Sequence, residues 1–253
     1  MTLVHVTAAA LLVLGLLPMD IARAQQSAVA GACELGNVSP NRWDYRRERW
    51  PAAHKERFEW QLKDLEVNHF RPYTEMLVRP TTGRSIGADL HYVLRLWPNH
   101  HRALVTLVRL GERERTDQPK DTFYTISCYF ERSLHFAPDD TVVRGLYANH
   151  LAKRSERGLA LHQLELLKQY AEQSPFTHHN AGLIYLELQE FDRALEQAYR
   201  AEELGIPAQS MLRRRLEAAG KWRPRDAAQV GPLTAPAASA ASSPGDQPGA
   251  QPN

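Results

Sequence analysis

Histidine is the residue type in this chain best suited to chemistry, and there are 11 of them. Four form adjacent pairs, His100-His101 in WPNHHRAL and His178-His179 in SPFTHHNAGLIYL. Imidazoles ligate metals and exchange protons near neutral pH. The pairs therefore pose a choice: one metal centre, or the same position in two copies of a structural unit. Neither pair lies in H-E-x-x-H, and the sequence holds no G-x-S-x-G elbow, P-loop or G-x-G-x-x-G. His91 and His135 fall on segments read as second helices of their units, whose exposed sides form the outer surface, and His150 and His162 show no ligand spacing with a cysteine or carboxylate. No catalytic residue, no metal site and no cofactor follow from these residues.

The cysteines, Cys33 and Cys128, are two in number and not in C-x-x-C spacing, which gives no support to a thioredoxin-like role. The N-terminus supplies their context. Ala8 to Leu17 is an apolar run, followed by Pro18 and by Ala22-Arg23-Ala24, an A-x-A cleavage pattern. Ten apolar residues are too few to span a bilayer, which takes about 20. Residues 1–24 therefore read as a cleaved signal peptide, with Gln25 as mature start and no membrane span in the mature chain. No Lys or Arg precedes the run, only His5. Export sets the expected location, periplasmic or secreted, and an oxidising compartment makes a Cys33–Cys128 disulfide the natural expectation. Two unpaired thiols are the alternative.

The 31 Lys and Arg nearly cancel the 29 Asp and Glu, for a formal charge of +2. A dedicated nucleic-acid binder needs a stronger basic field, so no nucleic-acid partner is expected. From 223 to 253 the chain is Pro, Ala, Ser, Gly and Gln with few large apolar side chains. Such a segment buries too little surface to offset its ordering entropy, and the expectation is a disordered tail. The arm, 25–50, ends in CELGNVSPNRWDYRRERW, whose tryptophans, tyrosine and arginines suit packing on the helices behind it. A ligand-facing lid is the alternative reading of that segment.

Between arm and tail, at 51–222, the residues read as helices, and 141–207 repeats at a spacing of 34. Ala148 pairs with Gly182, Leu151 with Tyr185, Ala160 with Ala194, Leu164 with Ala198 and Leu167 with Ala201. Small residues at these offsets let antiparallel helices approach closely. The stretch AGLIYLELQEFDRALEQAYRAEELGIP resembles the tetratricopeptide repeat (TPR), a helix A–turn–helix B unit of this same length. Numbered from Pro175, Gly182 falls at repeat position 8, Tyr185 at 11, Ala194 at 20 and Ala201 at 27. The resemblance covers roughly 85–207. It implies an all-α fold: a right-handed α-solenoid of TPR-like helical hairpins, with an N-terminal arm and a disordered C-terminal tail.

One unit upstream, FYTISCYFERSLHF at 123–136 reads as a helix B, and GERERTDQPK at 111–120 as a ten-residue insertion. That shift places helix A at 100–110 and puts both histidine pairs at positions 4 and 5 of their units. Two repeats apart, they should not converge on one ion. One member of each pair should pack and the other should face the groove. Residues 51–70 read as a long helix pairing with 85–97, and 208–222 as a capping helix.

For this family the resemblance implies protein recognition by the concave face of helices A. The corresponding positions are His101, Arg102 and Arg109, then Asn149 and Lys153, then Phe176, His179, Asn180 and Glu187. Asn149 and Asn180 match part of the family's clamp for a peptide carboxylate, but Gly145 stands where the clamp has lysine. A glycine there would let a backbone approach closely. The expected function is a non-enzymatic scaffold or adaptor that binds another envelope protein or peptide. The alternatives are an assembly factor acting through its convex face or tail, and histidine-based metal binding.

Overall fold

A computed structural model describes Cys33, Leu35 and residues 42–170 and 174–225. The expected signal peptide, most of the arm before Arg42 and nearly all of the tail lie outside these residues. The described chain is all-helical. Its ten α-helices are α1 Lys55–His69, α2 Pro72–Glu75, α3 Ile86–Leu96, α4 His101–Glu114, α5 Ile126–Phe136, α6 Thr141–Lys153, α7 Arg157–Lys168, α8 Pro175–Glu187, α9 Phe191–Glu203 and α10 Met211–Ala218. No strand occurs among the described residues.

Local chemistry sets the helix starts. Ser85, Thr125, Asp140, Ser174 and Ser210 each accept a hydrogen bond at the N-terminus of α3, α5, α6, α8 and α10. These side chains satisfy amide donors that the first helical turn leaves unpaired. His100 plays the same part for α4, its Nδ1 accepting from the Ala103 amide at 3.2 Å.

The turns repeat as the helices do. Ser155 (φ 62°) and Gln189 (φ 59°) both adopt the left-handed conformation between consecutive helices. They stand one repeat length apart. The next amide in each case closes the preceding helix, Glu156 to the Leu151 carbonyl and Glu190 to the Tyr185 carbonyl, both at 2.9 Å.

Each of α6 and α8 packs on the helix that follows it, α7 and α9, and α4 packs on α6, α6 on α8 and α8 on α10. The paired positions read from the repeat are all buried: Ala148, Leu151, Ala160, Leu164 and Leu167 in one copy, Gly182, Tyr185, Ala194, Ala198 and Ala201 in the other. Gly182 shows why small residues are needed. A Cβ there would run into Leu212 Cδ2 and lie 3.2 Å from Gln197 Cβ. One apolar core runs from Trp50 to Leu216.

Several element bounds differ from the sequence reading. Helix α4 continues through Gly111–Glu114, because the apolar face of His101–Leu110 is already committed and the buried Gly111, with no Cβ, lets Ile126 pack against the helix. Helices α4, α6 and α8 start at His101, Thr141 and Pro175, so the unit that α4 begins is longer than the unit that α6 begins by six residues, not ten. Helix α5 begins at Ile126, and Phe123 lies outside it. The terminal helix spans only Met211–Ala218, and the short α2 lies between the helices at 51–70 and 85–97.

The arm packs on the helices. Trp43 and Trp50 lie 5.7 and 5.9 Å from the buried Trp97 ring. Arg42 sits over Phe136 at 5.3 Å. A disulfide joins Cys33 to Cys128 at the start of α5.

Candidate functional site

The second residues of α4, α6 and α8 are Arg102, Val142 and Phe176, and all three are exposed. Val142 is 47% and Phe176 69% exposed. One turn on, Val105 is also exposed on α4. Lys153, Asn180, Arg109 and Glu187 lie further along the same helices and reach solvent in whole or part, with Asn149 and His179 half-buried. These helices thus carry a row of apolar and polar side chains at repeating register.

Several of the polar groups already have partners. The Arg102 guanidinium forks onto the Glu75 carboxylate and also reaches Glu66 Oε1 at 3.2 Å. Lys153 Nζ lies 2.9 Å from Glu112 Oε1, and Arg215 lies 3.8 Å from Glu187. Exposed pairs of this kind contribute little stability and exchange readily for a partner's charges.

His101 requires correction. It opens α4, the place that Thr141 and Pro175 hold in α6 and α8, rather than standing at position 5 of its unit, and its Nε2 lies 2.9 Å from Asp140 Oδ2. It belongs to the junction between α4 and α6. The longer α4 and shorter insertion displace both histidines by four positions, so His100-His101 is not equivalent to His178-His179. A split within each pair is nonetheless present. His100 is fully buried, 3.2 Å from Glu66 Oε1, and His178 is buried with Nδ1 2.8 Å from Gln197 Oε1. Burial lowers the pKa of His100 despite Glu66, and lowers that of His179. Gly145 requires correction too: a Cβ there would meet only Leu167 Cδ1 at 3.6 Å, an ordinary contact, so nothing at that position calls for glycine.

A polar junction closes one end of this row. Asn99 Nδ2 donates to Asp44 Oδ1 (2.7 Å) and Asp140 Oδ2 (2.8 Å), and Asn99 Oδ1 accepts the Tyr45 amide at 2.9 Å. Arg46 bridges Asp44 (2.7 Å) and Asp139 (3.0 Å). Arg49 also pairs with Asp139. Burial works against the Asp140 carboxylate, but the bonds from His101, Asn99 and the Val143 amide lower its pKa. Asp44 is likewise lowered, against burial, by Arg46 and Asn99. A cleft of about 490 Å³ opens here between the arm and the start of α6, lined by Arg46, Arg49, His101, Asp140, Val142 and Tyr170.

None of Arg46, Asn99 or Asp140 stood out in the sequence. An Asp two residues past a proline and just before TVV is a helix-start signal; its partners lie far earlier in the chain, in the arm and before α4, and leave no pattern. Among the described residues no three or more His, Cys, Asp or Glu side chains group as a metal site. None of the described helices is long and apolar enough to cross a membrane.

No protein-family model matches the chain, and neither a curated protein nor a solved structure is significantly similar to it.

Proposed function

We propose that the chain is an exported, non-enzymatic scaffold whose helices stack as a right-handed solenoid of TPR-like hairpins. Its face on α4, α6 and α8 binds an extended or helical segment of another envelope protein. The observation that carries this reading is the exposure of Val142 and Phe176 at the same register of successive packed helices. Apolar side chains left open in line, flanked by Arg109, Asn149 and Asn180, suit a peptide that alternates apolar and polar contacts. The regular recurrence of turns and helix starts supports the solenoid. The targeting segment supports export to the periplasm or beyond.

The test is photo-crosslinking in the cell from Asn149, with His162 on α7 as control. One protein captured from Asn149, not from His162, and lost when Phe176→Glu is introduced, supports the reading. Equal capture from both positions, or capture indifferent to Phe176→Glu, overturns it.

A further inference from the structure

Helix α3 and the turn that leads into α5 carry a second surface, distinct from the proposed peptide-binding face. Tyr92 stacks on His69 with ring centres 4.0 Å apart and planes at 24°. Phe123 stacks on His91 at 4.1 Å and 23°. Each ring rests one face on an imidazole, yet Tyr92 is 36% and Phe123 71% exposed. The imidazole under Phe123 is held in place, with Nδ1 2.7 Å from the Tyr129 hydroxyl. Burial, with Arg95 and Arg132 nearby, pushes the His91 pKa down to about 4, so it is a neutral flat support at pH 7.

Guanidinium groups edge the surface. Arg95 lies 5.1 Å from the Tyr92 ring centre and Arg132 4.4 Å from that of Tyr124. Asp89 is turned inward, accepting the Thr81 amide at 2.6 Å. The outward side is therefore aromatic, with Arg95 and Arg132 at its edge, while the exposed Lys120 and Asp121 just before Phe123 offset one another in charge.

Aromatic surfaces of this kind take proline-bearing segments, whose rings lie flat against the aromatic faces. The chain itself holds such a segment. Residues 226–253 contain Pro232, Pro236, Pro244, Pro248 and Pro252, with Asp226 and Asp246 and neither Lys nor Arg. Pro-Gly-Asp-Gln at 244–247 is followed directly by Pro-Gly-Ala-Gln at 248–251. The segment is thus acidic where the surface is basic. The stretch from Arg225 to Pro244 can reach up to roughly 65 Å. That is more than three times the ~18 Å radius of gyration of a compact chain this size.

We propose that residues 244–252 dock on the Tyr92–Phe123 surface of the same molecule. Proline rings lie against the outward aromatic faces, and Asp246 is drawn toward Arg95 and Arg132. Tethering raises the effective concentration of the segment, so even weak stacking holds it in place.

The experiment uses the full chain with p-benzoylphenylalanine in place of Phe123, irradiated at low concentration and digested with trypsin. The expected product is a cross-link within one molecule to the 226–253 peptide. Pro244→Ala with Pro248→Ala, or Tyr92→Ala, should each lower its yield roughly fivefold. Cross-links confined to the helices, to the tail of a second copy, or to another protein overturn the proposal. A second measurement leaves Phe123 in place. Aromatic NMR signals of Tyr92 and Phe123 should shift when the chain is cut after Arg225, and unchanged signals also overturn it.

Discussion

Asp140 stands 2.9 Å from His101 Nε2 through Oδ2, while its Oδ1 accepts the Val142 and Val143 amides at 3.1 Å each. One buried carboxylate thus caps α6, fixes the first residue of α4 and receives Asn99. Asp140→Ala removes the cap and strands Asn99 and His101. A lost cap and one unpaired buried donor together cost roughly 2–4 kcal/mol. For a chain of this size that is a fall of roughly 5–15 °C in melting temperature. Asp140→Asn keeps an acceptor at the cap and should lose about half as much. A change below about 1 °C for the alanine variant would show that the junction contributes no stability.

The Cys33–Cys128 bond closes 95 residues of sequence. Disulfides typically contribute about 2–4 kcal/mol, mainly by restricting the unfolded chain. Reduction should lower the melting temperature of the exported protein, and Cys33→Ser with Cys128→Ser should match the reduced form. Non-reducing peptide mass mapping of protein from an oxidising compartment checks the bond itself. Two alkylatable thiols would contradict it.

Glycine positions separate packing from helix propensity. Gly182→Ala places a methyl group against Leu212 and the Gln197 Cβ, and overpacking of this sort costs about 1–3 kcal/mol. Gly158 lies early in α7 with nothing within 4 Å of a built Cβ, so Gly158→Ala should stabilise by up to about 1 kcal/mol. Opposite signs in urea unfolding are the expected result. Matching signs would mean that α10 does not press on Gly182.

Ser155 and Gln189 hold left-handed backbone without being glycine or asparagine. That conformation costs a side-chain-bearing residue roughly 1 kcal/mol. Ser155→Gly and Gln189→Gly should therefore each stabilise modestly, and together additively, since they sit in separate turns. Thermal unfolding of both single variants and the double checks this. Destabilisation by either would place a needed contact on the Ser155 or Gln189 side chain.

How much was legible in the sequence follows from range. Ala148, Leu151, Ala160 and Leu164 and their partners one repeat on were readable because helix packing repeats locally, and all are buried. The register of α4 was not, because Gly111 reads as a break although the helix runs on through Glu114, and the true boundary depends on Arg115 turning left-handed. The aromatic surface escaped as well: Tyr92 and Phe123 rest on His69 and His91, each well removed in sequence, with no shared periodicity. At the second position of α6 and α8, the repeat register puts Phe176 on the groove face, whereas nothing in the sequence singles out Val142, and only the packing of neighbouring helices shows it open.

Acid should act on this protein in two windows. His91 has a pKa of about 4, below the unfolded value near 6.5, because burial disfavours its charged form. The unfolded chain therefore binds the extra proton first, and the stability tied to neutral His91 is lost as pH falls from about 6.5 toward 4. His100, lowered chiefly by burial, acts in the same direction. Asp139 is lowered chiefly by Arg46, and Asp44 and Asp140 by their hydrogen bonds against burial. Their stabilisation is complete above the unfolded carboxylate pKa of roughly 4 and is lost only below it. Melting temperature should fall already between about pH 6.5 and 4.5. His91→Gln should flatten that limb and leave the decline below about pH 4 unchanged. A variant with the full wild-type slope in the upper window would assign that window to another group, with His100 next to test.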